Sequence, residues 1–181
     1  KEYFPSGYVS RQSAGLLTPH DEQAAQSFQA AAKQFLKEAR IVAAFEHPNI
    51  VEVLRYFEAN GTAYFLMPYY QGKPLQKRLE SEGKLNRDDA KTLMMALMGA
   101  LEHIHEQGVI HQDINPGNIY ITRDNQPVLL DFAVAASENT GPASQRSSAR
   151  SACLAPEQLR PDGDIGPWTD IYALSACLSE A

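Results

Sequence analysis

The dipeptide Asn60-Gly61, set between two β-branched and aromatic runs, most constrains how this chain folds. The runs are Ile50 to Phe57 and Thr62 to Tyr69, and Asn-Gly between such runs is the strongest short hairpin signal. Pro68 is tolerable where the second run ends. Ahead of the hairpin lies an apolar stripe, Phe28, Ala31, Phe35, Val42 and Phe45, stepping by threes and fours. It predicts a helix that starts at Thr18-Pro19-His20-Asp21 and runs to about Phe45. Thr18 would cap it, Pro19 would take the first helical position and Asp21 would favour the first turn. Glu38 falls on the stripe. A carboxylate there either meets a cation or lies at the stripe's edge and reaches water, because unpaired burial is costly.

Beyond the hairpin, Gly72-Lys73-Pro74 reads as a turn. Asn86 caps a second helix with Asp89 three residues on. Its stripe is Ala90, Leu93, Leu97, Leu101 and Ile104, and Gly108 closes it. Short apolar runs follow at Val109-Ile110, Ile119 to Ile121 and Val128 to Leu130, with a turn over Arg123 to Gln126. Residues 137 to 151 are serine-rich and predict a long loop. The order is helix, hairpin, helix, then short strands, which is an α+β chain with two lobes.

Composition narrows the possible functions. The chain has 181 residues, 44% of them hydrophobic and 21% charged, enough for one sizeable core or two small lobes. A net charge of -6 argues against a nucleic-acid surface. No apolar run approaches the roughly 18–20 residues that span a bilayer, and no signal peptide is evident. Cys153 and Cys177 lack metal-type spacing and read as reduced structural thiols of a cytosolic protein, with a reactive Cys153 as the alternative. Both ends read as cut. The segment Asp170 to Leu178 is an apolar helix without a stop signal, and the first residue begins a strand-like stretch. The expectation is a piece of a longer protein.

The chemistry concentrates in His111-Gln112-Asp113-Ile114-Asn115-Pro116-Gly117-Asn118 and in Asp131-Phe132. The first run sets a carboxylate and a carboxamide on a tight loop, and the second adds a carboxylate after a hairpin. Such a set suits holding a divalent metal on a polyphosphate while a third group accepts a proton.

These motifs, in order, resemble the protein kinases. His47-Pro48-Asn49-Ile50-Val51 resembles the approach to the fourth strand of the kinase small lobe. His111 to Asn118 resembles the catalytic loop, and Asp131-Phe132-Ala133 stands where kinases carry Asp-Phe-Gly. Ala155-Pro156-Glu157 resembles the close of the activation segment, and Asp170 resembles the start of the long central helix. Lys1-Glu2-Tyr3-Phe4-Pro5 is similar to a subset of bacterial Ser/Thr kinases in which the third-strand lysine precedes Glu-Tyr-Phe-Pro. The resemblance implies a two-lobe kinase fold, incomplete because it lacks the glycine-rich loop and the late large-lobe helices. Residues 1–67 would be the partial small lobe. Residues 68–181 would be the partial large lobe, with hinge, catalytic loop, activation segment and the start of the central helix.

The resemblance also implies roles. Asp113 would orient a substrate hydroxyl and accept its proton. Asn118 and Asp131 would hold Mg2+. Lys1, fixed by Glu38, would bridge the α- and β-phosphates of ATP. Met67, the carbonyl of Pro68 and the N–H of Tyr70 would meet the adenine, and proline at 68 loses only a donor. His111 and Asp170 would brace the catalytic loop. The partner would be a protein carrying a Ser or Thr hydroxyl, with no nucleic acid and no membrane segment in this chain.

Several positions depart from the family. Gln112 replaces the arginine that receives an activation-loop phosphate. Activity independent of phosphorylation at Thr140, Ser144, Ser147 or Ser148 is therefore expected, although Arg146 and Arg150 are near. Asn115 stands where a lysine usually meets the γ-phosphate, and Arg150 where a threonine contacts that lysine. Ala133 replaces a glycine, at about 1–2 kcal/mol if φ is positive there. Ala152-Cys153 replaces Gly-Tyr, and Ser175 replaces a helix glycine. None removes the base, the metal ligands or the lysine, so a competent parent kinase is expected. The 181-residue piece itself would bind ATP weakly and turn over negligibly, with Glu157 lacking its usual arginine partner. Two alternatives remain. One is a nucleotide-holding pseudokinase, for which Gln112, Asn115 and Ala133 speak. The other is a small-molecule phosphotransferase of the aminoglycoside type, against which Ala155-Pro156-Glu157 speaks.

Overall fold

The computed structural model describes residues 1–132 and 152–179. The expectations for Ala133, for the loop over 137 to 151 and for Thr140, Ser144, Arg146, Ser147, Ser148 and Arg150 lie outside the described residues. The chain divides into two compact units, Lys1–Glu46 with Glu52–Tyr69, and His47–Val51 with Tyr70–Ala181. A boundary between 67 and 68 was expected; by contacts the first unit runs on to Tyr69, and His47–Val51 belongs to the second.

In the first unit, β1 (Val9–Arg11) pairs antiparallel with β2 (Leu17–Pro19), Val9 opposite Pro19. Helix α1 spans Glu22–Val42. Strands β3 (Arg55–Ala59) and β4 (Thr62–Leu66) form the expected hairpin, Ala59 opposite Thr62. Asn60 and Gly61 take φ of 50° and 72°, the pair of positive values that a two-residue I′ turn demands. Lys1 to Tyr3 lie along the other side of β4. Phe65 N–H donates to the Lys1 carbonyl and Tyr3 N–H to the Ala63 carbonyl, both at 2.9 Å.

The core of this unit is aromatic. Tyr3 meets Phe28 and Phe35 at ring-centroid distances of 5.6 and 5.5 Å, and Phe35 stacks on Phe65 at 5.2 Å. Val9, Leu17 and Phe28 form a buried cluster with Tyr3 packed against it. Offset ring pairs of this kind add about 0.5–1.5 kcal/mol each beyond their buried area. This arrangement puts the helix stripe to the use its spacing predicted.

Two expectations for α1 are corrected. Thr18 and Pro19 belong to β2, and the cap is Asp21, whose Oδ1 accepts the Ala24 N–H at 2.7 Å. Strand pairing claimed the first two residues, so the helix begins at the next side chain able to cap. The helix ends at Val42, with Phe45 still buried beyond it.

The second unit contains β5 (Gly72–Pro74), α2 (Leu75–Glu82) and α3 (Arg87–His105). It continues with β6 (Ile119–Thr122), β7 (Pro127–Leu129), a 3-10 turn over Pro156–Leu159, and α4 (Pro167–Ser179). The sheet order is β5-β6-β7, antiparallel throughout. Gly72-Lys73-Pro74, expected as a turn, is therefore a strand. Gly72 has φ 155°, and a Cβ there would sit 2.0 Å from the Ile121 carbonyl oxygen. Glycine lets the two backbones approach.

Ile50 and Val51 are likewise not the start of the hairpin. They extend the second unit's sheet, with Ile50 bridging Leu129 in parallel and Val51 N–H donating to the Leu129 carbonyl at 3.0 Å. Asn49 secures this graft by donating from Nδ2 to the Pro127 carbonyl at 2.7 Å. Asn86 caps α3 through the Asp89 N–H at 2.8 Å, as expected. Leu93, Leu97, Ala100, Leu101 and Ile104 are buried on α3, and α4 packs against this helix with Ala173, Leu174 and Cys177 buried. Among the described residues, no helix is long and apolar enough to cross a membrane.

Candidate active site

The loop between α3 and β6 is built from behind by two buried side chains. Asp170, in the first turn of α4, is fully buried. Its Oδ2 accepts the His111 N–H and the His105 Nε2, each at 2.8 Å, and its Oδ1 accepts the Gln112 N–H at 2.8 Å. A buried carboxylate needs such donors, and hydrogen bonds to a charged acceptor contribute about 1.5–3 kcal/mol each.

His111 is the second brace. Its Nδ1 accepts the Asp113 N–H at 3.2 Å, so Nε2 carries the proton and donates to the Leu130 carbonyl at 3.0 Å. Burial holds its pKa below the ordinary 6.5, against the opposing charges of Asp170 and Asp113. The ring therefore stays neutral and keeps one tautomer. Phe132 is buried against it, ring centroids 4.4 Å apart.

These anchors fix Gln112 at φ 64°, a left-handed value that costs a non-glycine residue about 1–2 kcal/mol. Gln158 in the 3-10 turn holds the other side of that residue, donating from Nε2 to the Gln112 carbonyl at 2.8 Å. Sequence reasoning missed Gln158 and His105, because both act through contacts far along the chain that no local pattern announces. The expectation for Glu157 concerns only its usual arginine partner. It accepts the Thr169 hydroxyl at 2.7 Å.

The front of the loop brings three predicted residues together. Asn118 Nδ2 donates to the Asp113 carbonyl and to Asp113 Oδ2, both at 2.9 Å. Asn115 Nδ2 donates to the Asp113 carbonyl at 3.0 Å and to Oδ1 at 3.3 Å, while its own Oδ1 accepts the Gly117 N–H at 3.0 Å. Asn115 is buried, and both ends of its amide are used within the loop. Asp113 is half-buried with its carboxylate oriented by two amides. Leu130 N–H donates to the Asn118 carbonyl at 2.8 Å, which sets Asp131 beside the loop. Asp131 is exposed with φ 53°.

The donor chemistry here fits magnesium. Asn118 spends its nitrogen on Asp113, which leaves its oxygen facing away, and Asp131 adds a carboxylate. Magnesium characteristically takes one or two protein oxygens and completes its shell with phosphate and water. Among the described residues, no three His, Cys, Asp or Glu side chains cluster as a self-sufficient metal site.

The other predicted residues lie elsewhere in the units. In the first, Lys1 Nζ stands 5.8 Å from the centroid of the Phe65 ring. Phe35, which stacks on that ring, is one helical turn before Glu38. Glu38 Oε1 accepts from Gln34 Nε2 at 3.3 Å. The Tyr3 phenol is pushed up by burial first, then by Tyr8 and by the Glu38 charge. Lys1 and Glu38 thus border the same group of rings. Met67 and Pro68 follow β4, both half-buried. Tyr70 belongs to the second unit, where its carbonyl accepts the Tyr120 hydroxyl at 3.1 Å.

Comparison with known proteins agrees with this architecture. A family model described as "Protein kinase domain" matches residues 19–181. The serine/threonine-protein kinase PknA of Mycobacterium tuberculosis is 34% identical over 156 residues, covering 82% of this chain and 36% of PknA. The serine/threonine-protein kinase cds1 of Schizosaccharomyces pombe is 32% identical over 169 residues, covering 90% of this chain and 35% of its own length. The chain thus spans about a third of the curated relatives it matches. Among solved structures, the apo form of PpkA-294 superposes with a TM-score of 0.87 at 36% identity, over 98% of this chain and 63% of that one. Matched family, shared fold and the ordered loop motifs all agree: this chain belongs to the protein kinase domain family.

Proposed function

We propose that this chain is the catalytic part of a cytoplasmic serine/threonine protein kinase that transfers the γ-phosphoryl group of ATP to a protein hydroxyl. The observation that supports this most is the orientation of Asp113. Asn115 and Asn118 direct its carboxylate, and the neutral His111 behind it fixes the backbone N–H. Asp113 accepts the proton of the Ser or Thr hydroxyl as that oxygen attacks phosphorus. Asn115 is a positioning residue in this reading, since its amide is consumed in aiming Asp113. Asn118 and Asp131 would hold Mg2+, which when bound would supply positive charge against that developing on the phosphates. Lys1 holds the α- and β-phosphates and is itself oriented by Glu38. Met67 lies against the adenine, and the Pro68 carbonyl and Tyr70 N–H meet its polar edge.

The test uses the full-length protein. Magnesium-dependent ATP should raise its melting temperature, and γ-labelled ATP should transfer label to a generic basic protein. Asp113→Asn should keep the nucleotide shift and lower transfer by about 10²–10⁴-fold, the usual worth of a general base. A nucleotide shift without any transfer by the wild-type protein would instead make it a nucleotide-binding regulatory module. No shift at all would end the reading.

A further inference from the structure

Two sulfur atoms that the proposed chemistry does not use are held together in the second unit. Cys153 lies just before Ala155-Pro156-Glu157, and Cys177 lies on α4. Their Sγ atoms are 2.9 Å apart, both side chains are buried, and both are thiols. Cys177 Sγ also points at the Ile114 carbonyl, 3.8 Å away, in the loop that carries Asp113. A disulfide needs an S–S distance of about 2.05 Å, so closing the bond takes a movement of about 0.9 Å.

We infer that Cys153 and Cys177 are a thiol pair that a hydroperoxide converts to an intrachain disulfide. The chemistry balances in two steps. One thiolate attacks hydrogen peroxide, the O–O bond breaks, and a sulfenic acid and water form. The second thiol then attacks the sulfenic sulfur, the S–S bond forms, and the hydroxyl leaves as water. The two sulfurs together lose two electrons and two protons, and one peroxide becomes two waters. Burial slows the first step, because an apolar surround disfavours the thiolate. The neighbouring sulfur favours the second, because it meets the sulfenic acid before another peroxide does.

The bond would join two anchors of one residue. Gln158, five residues after Cys153, holds the Gln112 carbonyl, and Asp170, seven residues before Cys177, holds the Gln112 N–H. A covalent tie between the two flanking segments resists their separation and so rigidifies the base of the Asp113 loop. This inference stands whether or not the chain proves to be an active kinase.

The test is peptide mapping of the reduced full-length protein after exposure to hydrogen peroxide, with remaining thiols alkylated before digestion without reductant. The expected product links the Cys153 and Cys177 peptides, is lighter than their sum by two hydrogens, and is lost on reduction. Oxidation should also slow amide exchange in the peptide containing Gln112 and raise the melting temperature. Cys153→Ser and Cys177→Ser should each abolish the linked peptide. Alkylation of both sulfurs after unfolding, sulfinic acid at either one, or links only between separate molecules would each overturn the inference. The wild-type map decides the matter even where a variant fails to fold.

Discussion

At the scale of the residue, Asp170 carries the most. It accepts three N–H donors from a fully buried position, and two of them are the backbone N–H groups of His111 and of Gln112, the residue held at a left-handed φ. Asp170→Ala should cost about 3–5 kcal/mol, the penalty for breaking a buried charged network. Asp170→Asn should cost less, since one acceptor oxygen survives, but its amide group would face a donor. Urea unfolding midpoints measure both, and a loss under 1 kcal/mol for alanine would mean that the loop is braced elsewhere. The polar run itself marked Asp113 and Asn118, whereas Asp170 stood out only through the resemblance to kinases. The contacts that hold this loop come from distant groups set by packing: His105 donates to Asp170, Leu130 N–H to the Asn118 carbonyl, and Gln158 to the Gln112 carbonyl.

At the scale of the element, two short pieces test different physics. Asn86 caps α3, and Asn86→Ala should lower stability by about 1 kcal/mol, the ordinary worth of an N-cap. Gly72→Ala should cost more, about 2–4 kcal/mol, since it adds both a left-handed backbone penalty and a clash with the Ile121 carbonyl. Thermal unfolding of the two variants should therefore rank them in that order. Equal effects would show that β5 separates from β6 at little cost. The cap was legible because it is a matter of three adjacent residues. The strand was not, because Gly72-Lys73-Pro74 has turn composition, and only pairing with Ile121 and Thr122, some fifty residues later, makes it extended.

At the scale of the whole molecule, two histidines couple stability to pH. Burial lowers the pKa of His111, and burial with the neighbouring His103 lowers that of His47. In the unfolded chain both titrate near the ordinary value of 6.5. Below that pH the unfolded state binds more protons, so stability is full above it and falls as pH drops through and below it. Denaturant midpoints measured near about pH 7.5 and about pH 5.5 should show the loss, and His47→Asn should reduce it while supplying an oxygen where Nδ1 accepts the Asn49 N–H. Greater stability in acid would contradict this account.

The amino-acid order alone determined the periodic helices, the Asn60-Gly61 turn and the run of polar residues at His111 to Asn118, because each depends on neighbours a few positions apart. Tertiary structure alone decided that Ile50 and Val51 leave the hairpin for β7. It also decided that Gln112 is held from both sides and that two cysteines far apart in sequence share one buried contact. Those outcomes depend on which distant backbones compete for the same hydrogen bonds and the same space, and that competition is settled only by tertiary folding.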